Sequence, residues 1–484
     1  MSVYDYDIGI LGGGSAGLTI ASGAARFGAK ALLIDKEGRL GGDCLHYGCV
    51  PSKTLIKTAH VYHLMKNASQ FGLPRHEIKS VDFSEISDRI KSVIATIEKH
   101  DSVERFCGLG AKVEFGNAVF KDEHTISLNG KGITAKNWVI ATGSSPAIPK
   151  IEGLQQTPFI TNRDIFYLDH LPKSMIVLGA GPISTEMAQA FCRLGTKVAV
   201  IQRSGQILGK EDRDMADAVM QNLASEGVKY FLNTSVLSVK DLGSEREVRV
   251  RVKEGSTGTI RGEVVLVALG REANLSGLGL ENAGVEYDGK GLRLDNRLRT
   301  TQKCIFGAGD VTGAYQFTHA AGYEGGVVLT NTILHLPRKA DYTFFPWCTY
   351  TDPELANIGM NETAAREAGL KHAVWTEEFR MNDRGLTEGE GLGRIKLILD
   401  EKEKPLGVQI LGLHAGELIS EWVAALNGRV KLSVLAGAVH PYPTLAEINK
   451  RVVGNYFSGK IFSEKVKKTL KFFFSLRGRA CGIE

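Results

Sequence analysis

The stretch IGILGGGSAG (residues 8–17) is the strongest fold signal in this chain, because it joins a short apolar run to three glycines spaced G-x-G-x-x-G. In this pattern the first glycine makes the turn after a strand, the second lets the backbone approach a pyrophosphate, and the third packs the following helix against the strand. The next apolar run, residues 31–34, ends at Asp35, where an acid can bind ribose hydroxyls. The stretch therefore predicts a Rossmann-like α/β domain that binds a dinucleotide.

A second copy of this design follows at MIVLGAGPIS (residues 175–184). Ser184 takes the third glycine position, where a small side chain is needed for close packing of helix and strand. A single glycine loop could be a plain turn. Two loops, each set between an apolar run and a helical pattern, favour two nucleotide-binding domains.

The sequence GGDCLHYGCVPSK (residues 41–53) places Cys44 and Cys49 shortly after the first fingerprint. Residues five apart on an ideal helix, which rises ~1.5 Å per residue, are separated by more than the ~7 Å that a disulfide tolerates. The pair can close only if the segment is distorted, and Gly48 lets the backbone bend. Lys53 could favour the thiolate, the form that attacks disulfides. A thiol pair beside a nucleotide indicates redox chemistry; two buried structural thiols are the alternative.

Composition argues against several function classes. A net charge of +5 over 484 residues gives no case for a nucleic-acid partner. Seven cysteines are too few for a secreted disulfide scaffold, and an odd count leaves one unpaired, which favours a reducing compartment. The N-terminus lacks a secretory-signal pattern, and no apolar run reaches the ~18 residues of a membrane span. We therefore expect a cytoplasmic protein without a resident metal.

The chain length predicts two to four domains. Pro146 and Pro149 mark the end of the first nucleotide region, and an apolar run at residues 264–269 follows the second. From about Asp341 the pattern changes to alternating strands followed by helical stretches. This part of the sequence predicts a separate α+β domain.

These motifs together resemble the flavin-dependent pyridine nucleotide-disulfide oxidoreductases, the family of dihydrolipoamide dehydrogenase, glutathione reductase and mercuric reductase. The resemblance covers essentially the whole chain and includes ATG (141–143), ALGR (268–271) and GAGD (307–310). It implies a homodimer of α/β fold, with two Rossmann-like dinucleotide-binding domains and a C-terminal α+β dimerisation domain. The implied boundaries are 1–150 and 271–340 for FAD binding, 151–270 for NAD(P) binding and 341–484 for dimerisation.

By the same resemblance, FAD lies extended along the first domain, with its pyrophosphate at the helix starting near Gly14 and Asp35 at the adenosine ribose. Asp310 reaches another part of the flavin nucleotide. The implied cofactor-binding residues are Gly12, Gly14, Ser15, Ala16, Gly17, Asp35, Lys36, Gly42, Asp43, Lys53, Thr142, Gly143, Ser144, Gly179, Gly181, Ile183, Glu186, Gln202, Arg203, Gly270, Arg271 and Asp310.

The resemblance also assigns the redox roles. Electrons pass from a nicotinamide through the flavin, Cys49 forms a thiolate contact with the flavin, and Cys44 is the exchange thiol that meets the acceptor. Lys53 and Glu186 form an ion pair next to the flavin ring, where burial would make either charge costly alone. A pair on the protein surface is the alternative.

The choice of nicotinamide depends on the residue that ends the second strand of the second fingerprint. An acid there favours the unphosphorylated ribose, whereas an arginine accommodates a 2′-phosphate. Residues 197–201 are followed by Gln202 and Arg203, without the acid. We therefore expect NADPH, with NADH as the alternative. Lys210 either assists or is a solvated surface lysine.

The segment HPYPTLAE (residues 440–447) departs from the family pattern. Disulfide-reducing members carry a catalytic histidine before Pro-Thr, oriented by a glutamate, and this histidine acts across the dimer interface. Here Tyr442 holds the histidine position and Glu447 the glutamate position. With an ordinary pKa of about 10, tyrosine is a poor base at neutral pH and a better hydrogen-bond donor. His440 could substitute as the acid-base group; an ordinary packed histidine is the alternative.

The tyrosine, and the aspartate before the first cysteine, resemble mercuric-reductase-like members of the family. Mercuric reductases also need a C-terminal cysteine pair, and this tail offers only Cys481. The tail from Lys460 to Arg479 mixes basic residues with three phenylalanines, so it could contact an anionic membrane weakly or pack on the partner subunit. The remaining cysteines, interpreted as core residues, are Cys107, Cys192, Cys304 and Cys348.

The sequence thus predicts an FAD-dependent NAD(P)H oxidoreductase that passes electrons through a Cys44–Cys49 disulfide to a small-molecule or protein-bound disulfide or thiol-type acceptor. The enzymatic alternative is NADPH-dependent reduction of a thiol-bound metal ion or of a quinone-type acceptor. An FAD-binding redox sensor or membrane-associated scaffold is the non-enzymatic alternative.

Overall fold

A computed structural model describes residues 4–75, 77–253, 255–478 and 480. The described chain forms two compact units, each with its own apolar core. The first unit contains residues up to Ala68, Pro74–Gly205 and Glu226–Asp341; the second contains Ser69–Leu73, Gln206–Ser225 and the chain from Tyr342 onward.

The first fingerprint forms the centre of a mixed sheet in the first unit. Ile8 and Ile10 on the first strand are fully buried, because parallel strands pair with both of its edges and helical residues such as Ile20 and Val327 pack in the same apolar core. The elements are β1 (Tyr6–Leu11), α1 (Ser15–Arg26), β2 (Ala31–Asp35), α2 (Gly42–Tyr47), α3 (Cys49–Lys66), α4 (Phe83–Glu98), α5 (Val103–Leu109), β3 (Lys112–Phe115), β4 (Ala118–Phe120), β5 (Thr125–Leu128), β6 (Lys131–Ile140) and β7 (Ser144–Pro146). Along the sheet the strand order is β3-β2-β1-β6-β5-β4.

The second fingerprint forms a separate parallel sheet in the order β10-β9-β8-β14, and an antiparallel ribbon β11-β12-β13 follows β10 in the chain. This arrangement confirms the predicted second strand-loop-helix unit. The elements are β8 (Ser174–Leu178), α6 (Pro182–Leu194), β9 (Lys197–Ile201), α7 (Arg213–Glu226), β10 (Lys229–Phe231), β11 (Thr234–Asp241), β12 (Arg246–Val252), β13 (Thr257–Gly262) and β14 (Val264–Val267).

After the second sheet the chain returns to the first one. A strand at residues 271–273 pairs with β7, and the strand containing Phe306 adds in parallel to β6. This return places the GAGD motif beside the first fingerprint. The elements are β15 (Arg271–Ala273), β16 (Tyr287–Asp288), β17 (Gly291–Leu292), β18 (Ile305–Gly307) and α8 (Thr318–Thr332).

The second unit is built on an antiparallel sheet in the order β19-β20-β23-β22-β21. One face of the sheet packs against helices through the buried residues Ile395, Ile410, Trp422 and Val452. The elements are β19 (Pro346–Thr349), β20 (Glu354–Gly359), α9 (Glu362–Glu367), β21 (His372–Glu378), α10 (Asp383–Thr387), β22 (Arg394–Asp400), β23 (Pro405–Gly412), α11 (Ala415–Asn427), α12 (Leu432–Gly437), α13 (Glu447–Ile461) and α14 (Glu464–Phe474). The sequence predicted this combination of strands and helices, and it placed the start of the domain near Asp341.

The segment Gln206–Ser225 belongs to the second unit. This differs from the predicted boundaries, which placed all of residues 151–270 in the nucleotide-binding domain. The reason is a buried ion pair: the Nζ of Lys396 lies 2.8 Å from Asp212 Oδ2, and both side chains are nearly inaccessible to solvent. Such a pair has no signature in the local sequence, because its partners are far apart in the chain.

Candidate redox and nucleotide-binding site

The glycine loop of the first fingerprint is shaped to receive a pyrophosphate. Gly12 has φ of +114°, and a Cβ placed there would lie 2.2 Å from the carbonyl oxygen of Ala141. A Cβ on Gly17 would lie 1.9 Å from the Gly12 carbonyl, so the helix packs directly on the loop. A Cβ on Gly14 would meet no atom closer than 3.9 Å, which leaves the backbone at the start of α1 open to a phosphate group.

Asp35 ends β2 beside this loop, as predicted. Its Oδ2 accepts the Gly13 N–H at 2.7 Å and its Oδ1 accepts the Glu37 N–H at 2.7 Å. Each carboxylate oxygen can accept a further hydrogen bond, so the group can still bind ribose hydroxyls. Together, the open glycine loop and the anchored carboxylate fit the adenosine half of FAD.

A polar cluster links the box that contains the cysteines to the GAGD motif. Arg271 Nη2 lies 3.0 Å from Asp43 Oδ2, and Arg271 Nε donates to Ser144 Oγ at 2.7 Å. The Ser144 hydroxyl in turn donates to Asp310, whose carboxylate lies 3.8 Å from Arg271. Burial raises the pKa of Asp310, while Ser144 and Arg271 favour its charged form. Three predicted cofactor-binding residues, Asp43, Ser144 and Asp310, therefore meet around the guanidinium of a fourth, Arg271, although all four are far apart in the sequence.

The cysteine box is broken into two helices at Gly48, which confirms the predicted distortion. α2 ends and α3 begins at this residue, so Cys44 lies in one helix and Cys49 opens the next. A Cβ at Gly48 would lie 2.9 Å from the carbonyl oxygen of Asp43 and 3.1 Å from Cys44 Cα. Only glycine leaves the two helix ends close enough for the thiols to interact.

The two thiols are hydrogen-bonded and electrostatically unlike. A hydrogen bond from the Cys44 thiol lowers the pKa of Cys49 to about 6, against the opposing effect of burial, with further help from the Thr318 hydroxyl and the charge of Lys53. The same hydrogen bond, together with burial, raises the pKa of Cys44. At neutral pH the stable form of the reduced pair is therefore a Cys49 thiolate held by a Cys44 thiol.

Thr318 connects the thiol pair to the nucleotide fingerprint. Its hydroxyl lies 3.4 Å from Cys49 Sγ, and its carbonyl oxygen accepts a hydrogen bond from the Ser15 hydroxyl at 3.1 Å. Ser15 is the first residue of α1, whose N-terminus would hold the pyrophosphate. The reactive sulfur therefore lies within two hydrogen bonds of the predicted FAD site.

Lys53 and Glu186 form the predicted ion pair, with Lys53 Nζ 2.7 Å from Glu186 Oε2. The Glu186 side chain is only 6% exposed, whereas Lys53 is 35% exposed. The pair joins α3 of the first fingerprint region to α6 of the second, so it is more than a contact between two solvated side chains. Its position one turn after Cys49 places the ammonium where it favours the thiolate.

In the second glycine loop, as in the first, one glycine allows a close backbone contact and another leaves the helix N-terminus open. Gly179 has φ of +98°, and a Cβ there would lie 2.5 Å from the Ala268 carbonyl oxygen, whereas a Cβ on Gly181 would contact nothing within 4 Å. Ser184 is fully buried, and its hydroxyl donates to the Ala268 carbonyl at 3.4 Å. The serine thus satisfies its own polar group in the third-glycine position.

The strand β9 ends before Gln202, as the sequence predicted. The Gln202 N–H donates to the Phe231 carbonyl at 2.9 Å, and its side chain donates to Ser204 Oγ at 2.7 Å. Arg203 and Lys210 are both exposed. In the first unit, the residues that directly follow β9 are therefore an amide and a cation, and not an acid.

Tyr442 pairs with an acid that the sequence analysis did not identify. Its hydroxyl donates to Asp383 Oδ2 at 2.9 Å, while the side chain remains 71% exposed. The hydrogen bond and the charge of Asp383, followed by the charge of Glu447, raise the pKa of Tyr442. Glu447 itself accepts the Thr444 N–H at 3.4 Å and so braces the turn. The hydroxyl therefore stays protonated at neutral pH and acts as a hydrogen-bond donor, as expected for tyrosine in this position.

The side chain of His440 is nearly buried and contacts a different acid from the exposed Tyr442. Its Nε2 lies 3.0 Å from Glu421 Oε1, and Glu421 Oε2 accepts the side-chain amide of Asn449 at 2.8 Å. Its Nδ1 is buried and has no hydrogen-bond partner in the described part of the chain. This arrangement supports the packed-histidine interpretation over a role in contacting the acceptor.

The interpretation of Cys107 as a core residue was wrong, because its side chain is exposed. Cys192, Cys304 and Cys348 are half-buried, and Cys304 and Cys348 pack against apolar core clusters. Cys481 lies outside the described residues. The residues that the sequence analysis missed carry no motif, and only their tertiary contacts reveal them: Thr318 at Cys49, Asp383 at Tyr442 and Glu421 at His440.

Comparison with known proteins defines the class of this chain. Residues 6–325 match the model of the pyridine nucleotide-disulphide oxidoreductases, and residues 345–453 match the dimerisation domain of the same family. The chain belongs to this family of flavoprotein oxidoreductases, and the dimerisation domain implies a homodimer. FAD and a pyridine nucleotide are typical of the family.

Individual relatives with different names are similar to the chain to the same degree. It is 32% identical to a mercuric reductase of Staphylococcus aureus over 445 residues, covering 92% of this chain and 81% of the relative. It is 33% identical to a mitochondrial dihydrolipoyl dehydrogenase of Schizosaccharomyces pombe over 474 residues, covering 94% and 91%. Among solved structures, the Cu(II) complex of the HOCl-induced flavoprotein disulfide reductase RclA from Escherichia coli aligns with a TM-score of 0.83 and 26% identity over 93% of this chain and 99% of that chain. These relatives establish the chemistry class but not the acceptor.

Proposed function

We propose that this protein is an NADPH-dependent disulfide reductase that passes electrons through Cys44 and Cys49 to a disulfide or related thiol-type acceptor. The observation that carries the proposal is the arrangement of the thiol pair: Cys49 opens α3 directly after the break at Gly48, and its sulfur lies 3.4 Å from the Thr318 hydroxyl. In this setting the pKa of Cys49 is lowered and that of Cys44 is raised. A buried structural pair would have no reason to be supported by Thr318, Lys53 and a helix N-terminus together.

The residues that fit FAD are the open glycine loop with Asp35, and the cluster of Ser144, Arg271 and Asp310. When bound there, FAD would supply two-electron transfer between the nicotinamide and the cysteine pair. The protein's part is to hold Cys49 as a thiolate and to keep Lys53 and Glu186 as a neutral pair, so that no uncompensated charge is buried beside it.

Exchange with the acceptor needs only the two thiols and a hydrogen-bond donor for the departing thiolate. The Cys44 sulfur, after losing its proton to the Cys49 thiolate, attacks one sulfur of the acceptor disulfide and expels the first thiolate product. Cys49, giving up that proton to the departing thiolate, then attacks Cys44, which forms the intramolecular disulfide and releases the second product. Each acceptor sulfur gains one electron, and the dithiol is oxidised by two.

We infer that the Tyr442 hydroxyl of one subunit, which donates its single proton to Asp383 at rest, turns to donate that hydrogen bond to the product thiolate in the other subunit during exchange. The raised pKa of Tyr442 supports this role, because a protonated phenol can donate but cannot act as a base. His440 is assigned to packing. Within the proposal we place the protein in the cytoplasm, since seven cysteines in 484 residues are too few for a secreted disulfide scaffold.

Anaerobic titration of the FAD-loaded protein with NADPH tests the core of the proposal. We expect a long-wavelength thiolate-to-flavin band that is lost in Cys49→Ser and not in Cys107→Ser, which removes an exposed thiol outside the pair. Absence of flavin reduction by either nicotinamide would support the redox-sensor or scaffold alternative. Steady-state assays with a disulfide, a quinone, Hg(II) and Cu(II) would then identify the acceptor class.

Replacing Tyr442 by phenylalanine tests the proposed hydrogen bond to the product thiolate. Tyr442→Phe should slow disulfide turnover about tenfold or more while leaving the rate of flavin reduction unchanged. Tyr287→Phe is a matched control, because Tyr287 also donates to a carboxylate, Glu281, at 2.8 Å on an exposed surface. Equal turnover of the two variants would refute the role of Tyr442 and would favour a metal-ion or quinone acceptor, for which no such hydrogen-bond donor is required.

A further inference from the structure

The helix α14 (Glu464–Phe474) lies beyond the dimerisation domain that the family model matches, which ends at residue 453. None of its residues is buried in the described chain. Phe473 and Phe474 are 71% and 69% exposed. Exposed aromatic side chains grouped on one element mark an interaction surface, because water is a poor solvent for them.

Most apolar side chains of α14 share one face of the helix. Val466, Leu470, Phe473 and Phe474 follow the spacing i, i+4, i+7, i+8, which brings them onto one stripe. At 100° per residue, Lys465, Lys468 and Lys471 fall outside this stripe, and Lys467 borders it next to Phe474. Phe472 lies between Lys465 and Lys468 on the polar side. The helix is therefore amphipathic, with four of its five apolar side chains on one stripe and three of its four lysines on the remaining surface.

The charge of α14 restricts what can cover it. Its four lysines and one glutamate give it a net charge of +3, whereas the whole chain has only +5. Contact of α14 with the same helix of a second copy would bring two surfaces of +3 together, which is electrostatically unfavourable. A bilayer with acidic headgroups can bind both parts of the helix, because its phosphates pair with the lysines and its acyl boundary takes up the apolar stripe.

We propose that α14 binds the surface of an anionic membrane and holds the enzyme there as a peripheral protein. The helix would lie in the headgroup plane over about 16 Å, given a rise of ~1.5 Å per residue, with Phe473 and Phe474 in the acyl boundary. The lysines extend their amines to the lipid phosphates. Within the described residues no helix combines the length and apolarity needed to cross a bilayer, which agrees with attachment at one surface.

Co-sedimentation of the FAD-loaded full-length dimer with lipid vesicles tests the proposal. We expect little binding to pure phosphatidylcholine and at least a tenfold higher bound-to-free ratio when about 30% of the lipid is phosphatidylglycerol. This binding should fall when ionic strength is raised from about 0.1 M to about 1 M, since the Debye length falls from about 10 Å to about 3 Å. Equal binding to both vesicle types would overturn the proposal.

Three variants locate the contact. Phe473→Ser/Phe474→Ser and Lys467→Glu/Lys471→Glu should each reduce the bound-to-free ratio at least tenfold, while Phe27→Ser, an exposed phenylalanine outside the helix, should not. All should keep solution turnover, so the result is independent of the proposed acceptor. Two results would overturn the proposal. If light scattering shows that the double phenylalanine variant is a monomer, the helix packs on the partner subunit. If vesicle binding survives in that variant, the helix is not the membrane contact.

Discussion

At the scale of single residues, the chemistry depends on making two identical side chains different. Cys44 and Cys49 are both thiols, but Cys49 opens the helix α3, receives a hydrogen bond from its neighbour and lies beside a threonine hydroxyl. Each of these contacts favours negative charge on one sulfur only. The sequence already showed both cysteines and Lys53; Thr318, far away in the chain, became visible only in the folded structure.

The pH dependence of the reduced protein follows from this asymmetry. Because the pKa of Cys49 is lowered to about 6, its thiolate is present above that pH and is lost as the pH falls through it. The long-wavelength band of the NADPH-reduced enzyme should therefore fade between about pH 7 and pH 5. Thr318→Val removes a hydrogen-bond donor and should move the midpoint upward.

Thr58→Val is a suitable control for that measurement, since Thr58 caps a carbonyl on the same helix α3 without touching either thiol. A midpoint that is equal in the wild type and in Thr318→Val would show that the threonine does not act on the sulfur. Spectrophotometric titration under anaerobic conditions gives both midpoints directly.

At the scale of elements, two helix and strand ends decide what the site can do. The break between α2 and α3 brings the thiols together, and the end of β9 is followed by Arg203, the cation that the proposal assigns to the nucleotide. Both features follow from local sequence: a glycine between two helical stretches, and an apolar run that stops before a cation. Element ends were predictable here because each depends on one residue whose physical effect is local.

Gly48→Ala should damage the protein at the junction of α2 and α3. The added methyl group would lie 2.9 Å from the Asp43 carbonyl, so the two helices must separate, and we expect a loss of about 1–3 kcal/mol in the free energy of unfolding together with slower formation of the disulfide. Gly108→Ala in α5 meets nothing within 4 Å and should raise stability by up to about 1 kcal/mol. Urea denaturation of both variants measures the difference; equal effects would refute the packing argument.

Arg203→Ala should separate the two nicotinamides. Loss of the cation at the end of β9 should raise the KM for NADPH about tenfold, which corresponds to about 1.4 kcal/mol, and leave the KM for NADH nearly unchanged. Arg249→Ala, an exposed arginine on β12, serves as the control for general electrostatics. An equal change for both nicotinamides would remove the basis for the NADPH preference.

At the scale of the whole molecule, the second unit contains a buried acid that local sequence could not reveal. Glu211 accepts hydrogen bonds from Trp347 Nε1 at 2.6 Å and Gln409 Nε2 at 2.7 Å, and burial raises its pKa to about 7 despite them. Next to it, Asp212 pairs with Lys396. These contacts tie Gln206–Ser225 to the sheet of the second unit, so a segment that directly follows Arg203 is held by a different core.

Stability of the second unit should therefore depend on pH through Glu211. The folded pKa of about 7 exceeds the ordinary value of 4.5, so the neutral carboxyl stabilises the folded state below pH 4.5 and this contribution is lost as the pH rises to 7, by about 3 kcal/mol in all. Glu211→Gln should consequently be more stable than the wild type at pH 8 and similar to it at pH 5. Denaturation followed by tryptophan fluorescence, to which Trp347 contributes, would measure the free energy of unfolding of both proteins. A difference in that free energy that is the same at both pH values would contradict the prediction.

The sequence by itself determined the α/β fold, the two nucleotide loops, the thiol pair and the domain that follows Asp341. These features depend on glycine spacing and apolar periodicity, which act over a few residues and can be read locally. Only the tertiary structure decided that Asp43, Ser144 and Asp310 meet at Arg271, that Asp383 partners Tyr442 and that residues 206–225 join the second unit. Each of these depends on a hydrogen bond or ion pair between residues dozens to hundreds of positions apart, and such contacts leave no periodic trace in the chain.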